Sequence, residues 1–296
     1  MYFVGIDGGG TNTVGVIGDQ SGIIAQKIVG PSNYHNIGID LTKNTIAELL
    51  NQLLNEVNGN LHEIEGICFG GAGIDTAVDS SRISALFDEI GYNGKLSVIN
   101  DALVAMAAEN GSLTGGILIS GTGSIAYGVD LQGNLQRVGG WGHIVDDIGS
   151  AYAIAVAGLK AVLESYDGRG KQTTLFNALK PIMQIEHEEE IIDYLYASKN
   201  GKDQVARLAK VISEEAASDE VASGIITNAA SDLLTSIKAL EKKCGVKPLN
   251  IVLSGSVLIN NDQIFNFLNS HVPSQIKLKR LNALPVRGAY LLATQL

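Results

Sequence analysis

The first residues that could do chemistry lie in a glycine-rich turn near the start of the chain. Asp7 ends an apolar run, three glycines follow it, and Thr11, Asn12 and Thr13 lead into a second apolar run. Backbone N–H groups in such a turn can approach an anion closely because glycine has no Cβ, and the threonines add hydroxyl donors. An aspartate at a strand end can hold Mg²⁺ through water. The segment alone is equally consistent with a tight hairpin that binds nothing.

A second turn of the same kind follows about 110 residues later. It again lies between two apolar runs and consists of Ser120, Gly121, Thr122, Gly123 and Ser124. Two such hairpins indicate a diverged internal duplication. Facing each other across a cleft, they could hold the phosphates of one nucleotide.

A third glycine-bearing turn, at Gly255 and Ser256, follows the apolar run at residues 251–253. It could pack backbone against a purine, although an ordinary strand-to-helix connection is the simpler explanation. Other phosphate motifs are absent. The pattern G-x-x-x-x-G-K-[ST] does not occur, and the pattern G-x-G-x-x-G would need a glycine where Thr13 stands.

A candidate general base lies between the two hairpins. The apolar run at residues 96–99 ends in Asn100 and Asp101, and a helical pattern follows. An aspartate there could accept the proton of a hydroxyl that attacks a phosphoryl group. Aspartate is also a preferred helix N-cap, and locally that explanation is favoured.

Strands and helices must alternate to position these residues. Apolar spacing predicts strands at 2–7, 13–18, 22–28, 64–70, 96–99, 116–128 (as a hairpin), 134–138 and 249–254. It predicts helices at 40–57, 79–91, 102–110, 150–163, 261–271 and 286–295, with mostly helical structure over 170–245. Residues 31–38 read as a polar loop, and the acidic stretches at 186–190 and 213–220 as solvent-facing. The alternation predicts an α/β fold.

Composition narrows the class of protein. A chain of 296 residues with 45% hydrophobic content can build two domains with full cores. The net charge of −10 and the lack of a basic stripe argue against nucleic-acid binding. No membrane span or signal peptide is expected. Cys68 and Cys244 have no C-x-x-C neighbour, so we expect buried free thiols and a cytoplasmic protein.

The order of these pieces resembles the N-acetylglucosamine kinase branch of the sugar kinase–actin–heat-shock chaperone superfamily, which is grouped with the BadF/BadG-type ATPases. The most specific piece is Gly-Gly-Trp-Gly-His at residues 139–143, with Asp-Asp-Ile-Gly-Ser at residues 146–150. The resemblance implies two actin-like, ribonuclease H-like α/β domains with a nucleotide cleft between them. It also implies their bounds: residues 1–111 with 282–296, and residues 112–281.

The resemblance further implies residue roles. Asp101 is the catalytic base, and Asp7 holds Mg²⁺ through water. The residues implied to bind ATP are Gly9, Gly10, Thr11, Asn12, Thr122, Gly123, Ser124, Ala216, Gly255 and Ser256. The residues implied to contact the sugar are Asn33, Asp101, Gly140, Trp141 and Asp147.

Two of the sugar residues have competing explanations. Asn33 could belong to an ordinary turn and is easily confused with Asn36, and Trp141 could be a core or interdomain residue. Near Asp147 the chain departs from the family pattern Gly-Asp-Glu-Gly-Ser, because Asp146 and Ile148 replace the first glycine and the glutamate. This departure leaves the sugar's N-substituent open.

The expected function is ATP-dependent phosphorylation of an amino sugar at its 6-hydroxyl. N-acetylglucosamine and N-acetylmuramic acid are the favoured substrates, and glucosamine is an alternative. An ATPase that activates an acyl-CoA dehydratase is a third option, although two isolated cysteines do not supply its iron–sulfur motif. A sugar-sensing repressor is disfavoured, because a DNA-binding segment and a zinc motif are both missing. The oligomeric state stays open, with a homodimer as one option.

Overall fold

Two five-stranded sheets organise the chain, each within its own unit. The computed structural model describes residues 1–197 and 201–296. Unit 1 comprises Met1–Gly115 and Leu281–Leu296, and unit 2 comprises Gly116–Arg280. Unit 2 is thus an insertion into the chain of unit 1.

The strands and helices alternate along most of the chain. The strands are β1 Tyr2–Gly8, β2 Thr13–Asp19, β3 Gly22–Val29, β4 Ile64–Gly71, β5 Lys95–Asn100, β6 Gly116–Ser120, β7 Ser124–Val129, β8 Leu135–Gly139, β9 Leu249–Ser254 and β10 Ile276–Arg280. The helices are α1 Tyr34–Ile37, α2 Ile39–Glu56, α3 Ala77–Ile90, α4 Asp101–Asn110, α5 Ala151–Tyr166, α6 Leu175–Met183, α7 Ile191–Tyr196, α8 Lys202–Ala206, α9 Leu208–Glu215, α10 Glu220–Cys244, α11 Ser256–Asn260, α12 Asp262–His271 and α13 Pro285–Ala293. Within the described ranges, no helix is long and apolar enough to cross a bilayer.

The two sheets have the same topology. In unit 1 the order is β3-β2-β1-β4-β5, and in unit 2 it is β8-β7-β6-β9-β10. The first strand of each sheet pairs antiparallel with the strand that follows it in sequence and parallel with a later one. This equivalence agrees with the internal duplication that the two glycine hairpins predict.

Side chains alternate between the two faces of the first sheet, as the pleat requires. Val4 and Ile17 join a core with helices α2 and α3, whereas Phe3 and Val16 join a second core with α4 and α13. In unit 2 one large core unites β6, β7 and β9 with the surrounding helices. Cys68 and Cys244 are buried and free, as predicted.

The structure differs from the predicted elements at several places. The polar loop at 31–38 contains α1, β10 was not predicted, and α11 precedes the helix expected from residue 261. The helical stretch 170–245 consists of separate helices joined by turns, and its residues 198–200 lie outside the described residues. Asp219, expected to face solvent, is buried because its carboxylate caps α10 at the Ala222 N–H.

The packing of α13 on α4 depends on a glycine. A Cβ on Gly288 would lie 1.9 Å from the Val104 carbonyl oxygen and 2.5 Å from the Ala108 nitrogen. We expect Gly288→Ala to lower the free energy of unfolding by about 2–3 kcal/mol through overpacking, measured by urea denaturation. The matched control is Gly224→Ala in α10, where a Cβ meets open space and should stabilise by about 0.5–1 kcal/mol. Unchanged stability of Gly288→Ala would contradict this packing.

Candidate active site

Three parallel strands of unit 1 bring two aspartates to one edge of its sheet. Asp7 of β1 lies opposite Gly70 of β4, and Asn100, the last residue of β5, lies opposite Gly71. Neighbouring strands are about 4.8 Å apart. The carboxylates of Asp7 and Asp101 therefore lie close enough for their charges to interact, and the charge of Asp101 contributes to a raised pKa of Asp7.

The helix cap after β5 belongs to Asn100, not to Asp101. The Asn100 Oδ1 accepts a hydrogen bond from the Ala102 N–H (2.9 Å), and its Nδ2 donates to Asp75 Oδ1 (3.0 Å). The capping explanation that competed for Asp101 thus applies to its neighbour. Asp101 occupies the first helical position, where a carboxylate also meets the positive end of the helix dipole.

Both aspartates at this edge are less acidic than in water. Burial raises the pKa of Asp7 to about 6, and the charge of Asp101 adds to the rise. Burial also raises the pKa of Asp101, and Asp75 adds to that rise, although the Ala102 N–H opposes it. A carboxylate with a raised pKa is a stronger proton acceptor once it is ionised.

The tip of the first hairpin exposes Gly10, Thr11 and Asn12. A hydrogen bond from the Gly9 N–H to the Asn12 carbonyl (3.0 Å) closes the turn, and a Cβ on Gly9 would lie 2.8 Å from that carbonyl oxygen. Thr13 differs from expectation. It is buried and its hydroxyl donates to Ser32 Oγ (2.7 Å), so it is not available to donate to a phosphate.

Two amide side chains approach this edge from the segment after β3. Asn33 caps α1 by accepting a hydrogen bond from the His35 N–H (3.1 Å). Its side chain also lies beside Gly73, 3.3 Å from where a Cβ would stand. Asn36 Nδ2 lies 3.4 Å from the corresponding point on Gly10. The two residues therefore lie at different positions. Asn36 borders the hairpin tip, and Asn33 borders the turn after β4.

In unit 2 the second hairpin is fixed by its serines. Ser120 Oγ donates to the Gly149 carbonyl (2.9 Å) and Ser124 Oγ to the Ile148 carbonyl (2.7 Å), and both serines are buried. The Ser124 hydroxyl, predicted to contact phosphate, donates its hydrogen bond within the protein instead. Thr122 and Gly123 form the accessible part of this tip.

The third turn packs directly on the second hairpin. Gly255 has φ +89°, and a Cβ there would lie 2.3 Å from the Ser120 carbonyl oxygen, so only glycine fits. The nitrogen of Ser256 lies 3.9 Å from the point where a Cβ would stand on Gly121. Both predicted residues are therefore next to the hairpin.

A cavity of about 660 Å³ adjoins this hairpin, a volume typical of small-molecule sites. Ala151 lines it and donates its N–H to the Gly121 carbonyl (2.8 Å), and Ser256 lines it as well. Its other polar walls are Arg207, Lys210, Ser213, Glu214, Asn260, Asn261, Asp262 and Gln263. No motif marks these residues in the sequence.

Ala216, predicted to bind ATP, does not line this cavity. It follows the last residue of α9 and packs partly against the core of unit 2. Ser213 and Glu214 of the same helix line the cavity instead. Helix α9 therefore borders the cavity through those two residues, and the role of Ala216 stays a prediction.

The loop after β8 turns sharply on glycines and exposes its tryptophan. A Cβ on Gly140, at φ +77°, would lie 2.4 Å from the Ile125 side chain. Trp141 is 69% exposed, so it is not a core residue of unit 2. The Arg137 guanidinium stacks 4.1 Å from the Trp141 ring centroid. The backbone N–H of Trp141 donates to Asp146 Oδ2 (3.1 Å). The Asp146 carboxylate therefore accepts a hydrogen bond from its own loop.

Asp147 is buried in an ion pair that the sequence did not predict. Its Oδ2 lies 2.7 Å from the Nζ of Lys202, and its backbone adopts the left-handed region at φ +56°. The residue is only 4% exposed. Lys202 is 55 residues away in sequence, so no local pattern could reveal it.

Comparisons with known proteins define the class and then the family. The structure resembles a candidate N-acetylglucosamine kinase from Chromobacterium violaceum, with a TM-score of 0.70 over 99% of this chain and 98% of that one at 20% identity. The predicted two-sheet α/β class is thus confirmed. A model described as the BadF/BadG/BcrA/BcrD ATPase family matches residues 4–293. The chain therefore belongs to this family, as the resemblance predicted.

Two relatives are more similar in sequence. An N-acetylmuramic acid/N-acetylglucosamine kinase of Clostridium acetobutylicum is 35% identical over 99% of this chain and 98% of its own length. An N-acetyl-D-glucosamine kinase of Dictyostelium discoideum is 34% identical over 82% of this chain and 80% of its own length. Both names describe kinases of amino sugars.

The raised pKa of Asp7 implies a cost in stability at neutral pH. A rise from 3.8 to about 6 corresponds to about 3 kcal/mol, since one pKa unit is about 1.4 kcal/mol. The folded state binds the proton more tightly, so this group lowers stability as the pH rises from about 4 to about 6. We expect Asp7→Asn to raise the free energy of unfolding at pH 7 by about 2–3 kcal/mol.

Urea denaturation between pH 4 and 7 measures this effect. The gain in the Asp7→Asn variant should shrink toward zero as the pH falls to 4. The exposed Asp88→Asn in α3 is the control and should leave stability unchanged. An Asp7→Asn variant less stable than the natural protein at pH 7 would contradict the assigned burial.

Proposed function

We propose that this protein is an ATP-dependent kinase that phosphorylates the 6-hydroxyl of N-acetylglucosamine or N-acetylmuramic acid. The observation that carries the proposal is the Asp101 carboxylate at the sheet edge, released from capping by Asn100 and raised in pKa. Family membership and the two amino-sugar kinases at 34–35% identity support the substrate class. Glucosamine remains an alternative substrate.

In the proposed reaction Asp101 acts as general base. It accepts the proton of the sugar 6-hydroxyl as the bond from O6 to the γ-phosphorus forms. The bond from that phosphorus to the β–γ bridging oxygen breaks, and ADP leaves with the electron pair. Such transfer depends mostly on positioning and charge stabilisation, so a correctly held carboxylate has a large effect.

The nucleotide roles follow the two hairpins. In unit 1 the exposed Gly10, Thr11 and Asn12 would donate backbone N–H groups and a hydroxyl to phosphate oxygens, and Gly9, whose N–H closes the turn, would shape it. In unit 2 Thr122 and Gly123 would do the same, and Ser124 would support them from below. The adjoining cavity, with Gly255 and Ser256 at its hairpin end, would hold adenosine.

Asp7 is suited to hold Mg²⁺ through a water molecule. Among residues 1–197 and 201–296, no three His, Cys, Asp or Glu side chains gather to hold a metal ion. This suits Mg²⁺, which takes most of its ligands from phosphates and water when it accompanies a nucleotide. When bound, the ion would neutralise phosphate charge and relieve the repulsion between Asp7 and Asp101.

For the sugar, we propose contacts from Asn33, Gly140, Trp141 and Asp147. Trp141 is exposed and held flat under Arg137, so its free face can pack on a sugar ring. Asp147 is the least accessible of the four, because it is paired with Lys202. A panel of N-acetylglucosamine, N-acetylmuramic acid and glucosamine in an ADP-release assay would define the substrate. No turnover with any of the three would reject the proposal.

The sharpest test of the base is Asp101→Asn. We expect kcat to fall by about 10²–10⁴-fold with the fold and the affinities for ATP and sugar retained, since only proton acceptance is lost. Steady-state kinetics and calorimetry check this. The control is Asp40→Asn, an exposed aspartate in the first turn of α2, which should keep full activity. A kcat near that of the natural protein would remove Asp101 from the mechanism.

A further inference from the structure

A lysine lies against the tip of the second hairpin. Lys202 Nζ is 2.7 Å from Asp147 Oδ2 and 3.0 Å from the point where a Cβ on Gly123 would stand. The lysine side chain is 30% exposed, whereas the aspartate side chain is 6% exposed. The lysine side chain is therefore the more accessible partner of the pair beside the hairpin, while its counter-charge is buried.

Gly123 is required for this arrangement. A Cβ at position 123 would lie 2.7 Å from Asp147 Oδ2, closer than van der Waals contact allows. Any other residue would push the carboxylate or the lysine away from the hairpin backbone. The glycine thus lets the ammonium group and its carboxylate partner both approach the turn whose N–H groups are suited to an anion.

Helix α8 links this lysine to the adjoining cavity. Lys202 is the first residue of α8, and Ala206, the last, lines the cavity. Four residues of helix span about 6 Å. The other side of the cavity reaches the hairpin through Ala151, whose N–H donates to the Gly121 carbonyl. The cavity, the hairpin tip and Lys202 are therefore neighbours. The nucleoside and phosphate parts of one nucleotide lie next to each other in the same way.

We propose that Lys202 binds the phosphate chain of the nucleotide and that Asp147, besides its proposed sugar contact, holds the ammonium group at the hairpin through its Oδ2 atom. The proposal rests on the proposed use of ATP. Lysine serves phosphate as a point charge, without the planar geometry that arginine imposes. The buried carboxylate restricts a flexible side chain to one place before the nucleotide arrives, which reduces the entropy lost on binding.

The test compares ATP with adenosine, which lacks phosphates. Lys202→Met alone would leave a buried unpaired carboxylate and could unfold unit 2. The double variant Lys202→Met/Asp147→Asn removes both charges and keeps the fold testable. Isothermal calorimetry should give an ATP Kd raised about 10–100-fold, the effect of one charged hydrogen bond, and an unchanged adenosine Kd. The control is Lys171→Met, which breaks an exposed lysine–glutamate pair elsewhere in unit 2.

Other outcomes overturn the proposal. An unchanged ATP Kd, or equal losses for ATP and adenosine, would remove Lys202 from phosphate binding. Unchanged ATP binding with a selective loss of kcat/KM for N-acetylmuramic acid relative to N-acetylglucosamine would assign the cation to the sugar's carboxylate instead. Failure of the proposed kinase activity is a separate result: the natural protein would not phosphorylate the sugars, yet the ATP-selective loss would still appear.

Discussion

Parallel pairing of β1 and β5 with β4 is the constraint on which the unit 1 site depends. It brings the carboxyl ends of three strands to one edge, so residues far apart in sequence meet there without any long side chain reaching out. The same edge is partly buried, and burial holds two carboxylates in a state that resists ionisation. A carboxylate that is fully solvated is a weak proton acceptor. A stronger acceptor must therefore be partly buried, and its burial necessarily costs free energy.

Unit 2 repeats the topology with different chemistry at the equivalent edge. Its hairpin is anchored by buried serines and covered by the Gly255 turn, so the turn is rigid before any ligand binds. Acidic side chains dominate the edge in unit 1, whereas a lysine and backbone N–H groups lie at the hairpin in unit 2. One topology thus places two carboxylates at the sheet edge of unit 1 and a lysine–aspartate pair at the hairpin of unit 2.

Local patterns predicted most of the fold. Apolar runs around glycine turns defined both hairpins, and helical spacing defined α2. Strand β10 was missed, although Ile276 and Leu278 alternate with lysines in the manner of a charged edge strand. Its short length hid the pattern.

The site was only partly predictable, for a physical reason. Residue type and strand ends, which are local properties, marked Asp7, Asp101 and the hairpin tips as candidates, and the family resemblance supplied their expected roles. Lys202, the cavity walls and the burial of Asp147 depend on how α8 and α9 pack on the second sheet, and no local spacing encodes this. The local pattern favoured Asp101 as the N-cap, and the cap is Asn100, because both residue types are good caps and only the backbone selects between them.

The last helix has a consequence for how the chain is made. Helix α13 packs tightly on β1 at Gly5, where a Cβ would lie 2.3 Å from the Tyr290 nitrogen. Ala289 and Ala293 complete the core that includes Phe3 and Val16. During synthesis, therefore, the first strands must wait for the last helix before that core can close. Unit 2 is a continuous segment and has no such delay. The part of the protein translated second is the part able to finish folding first.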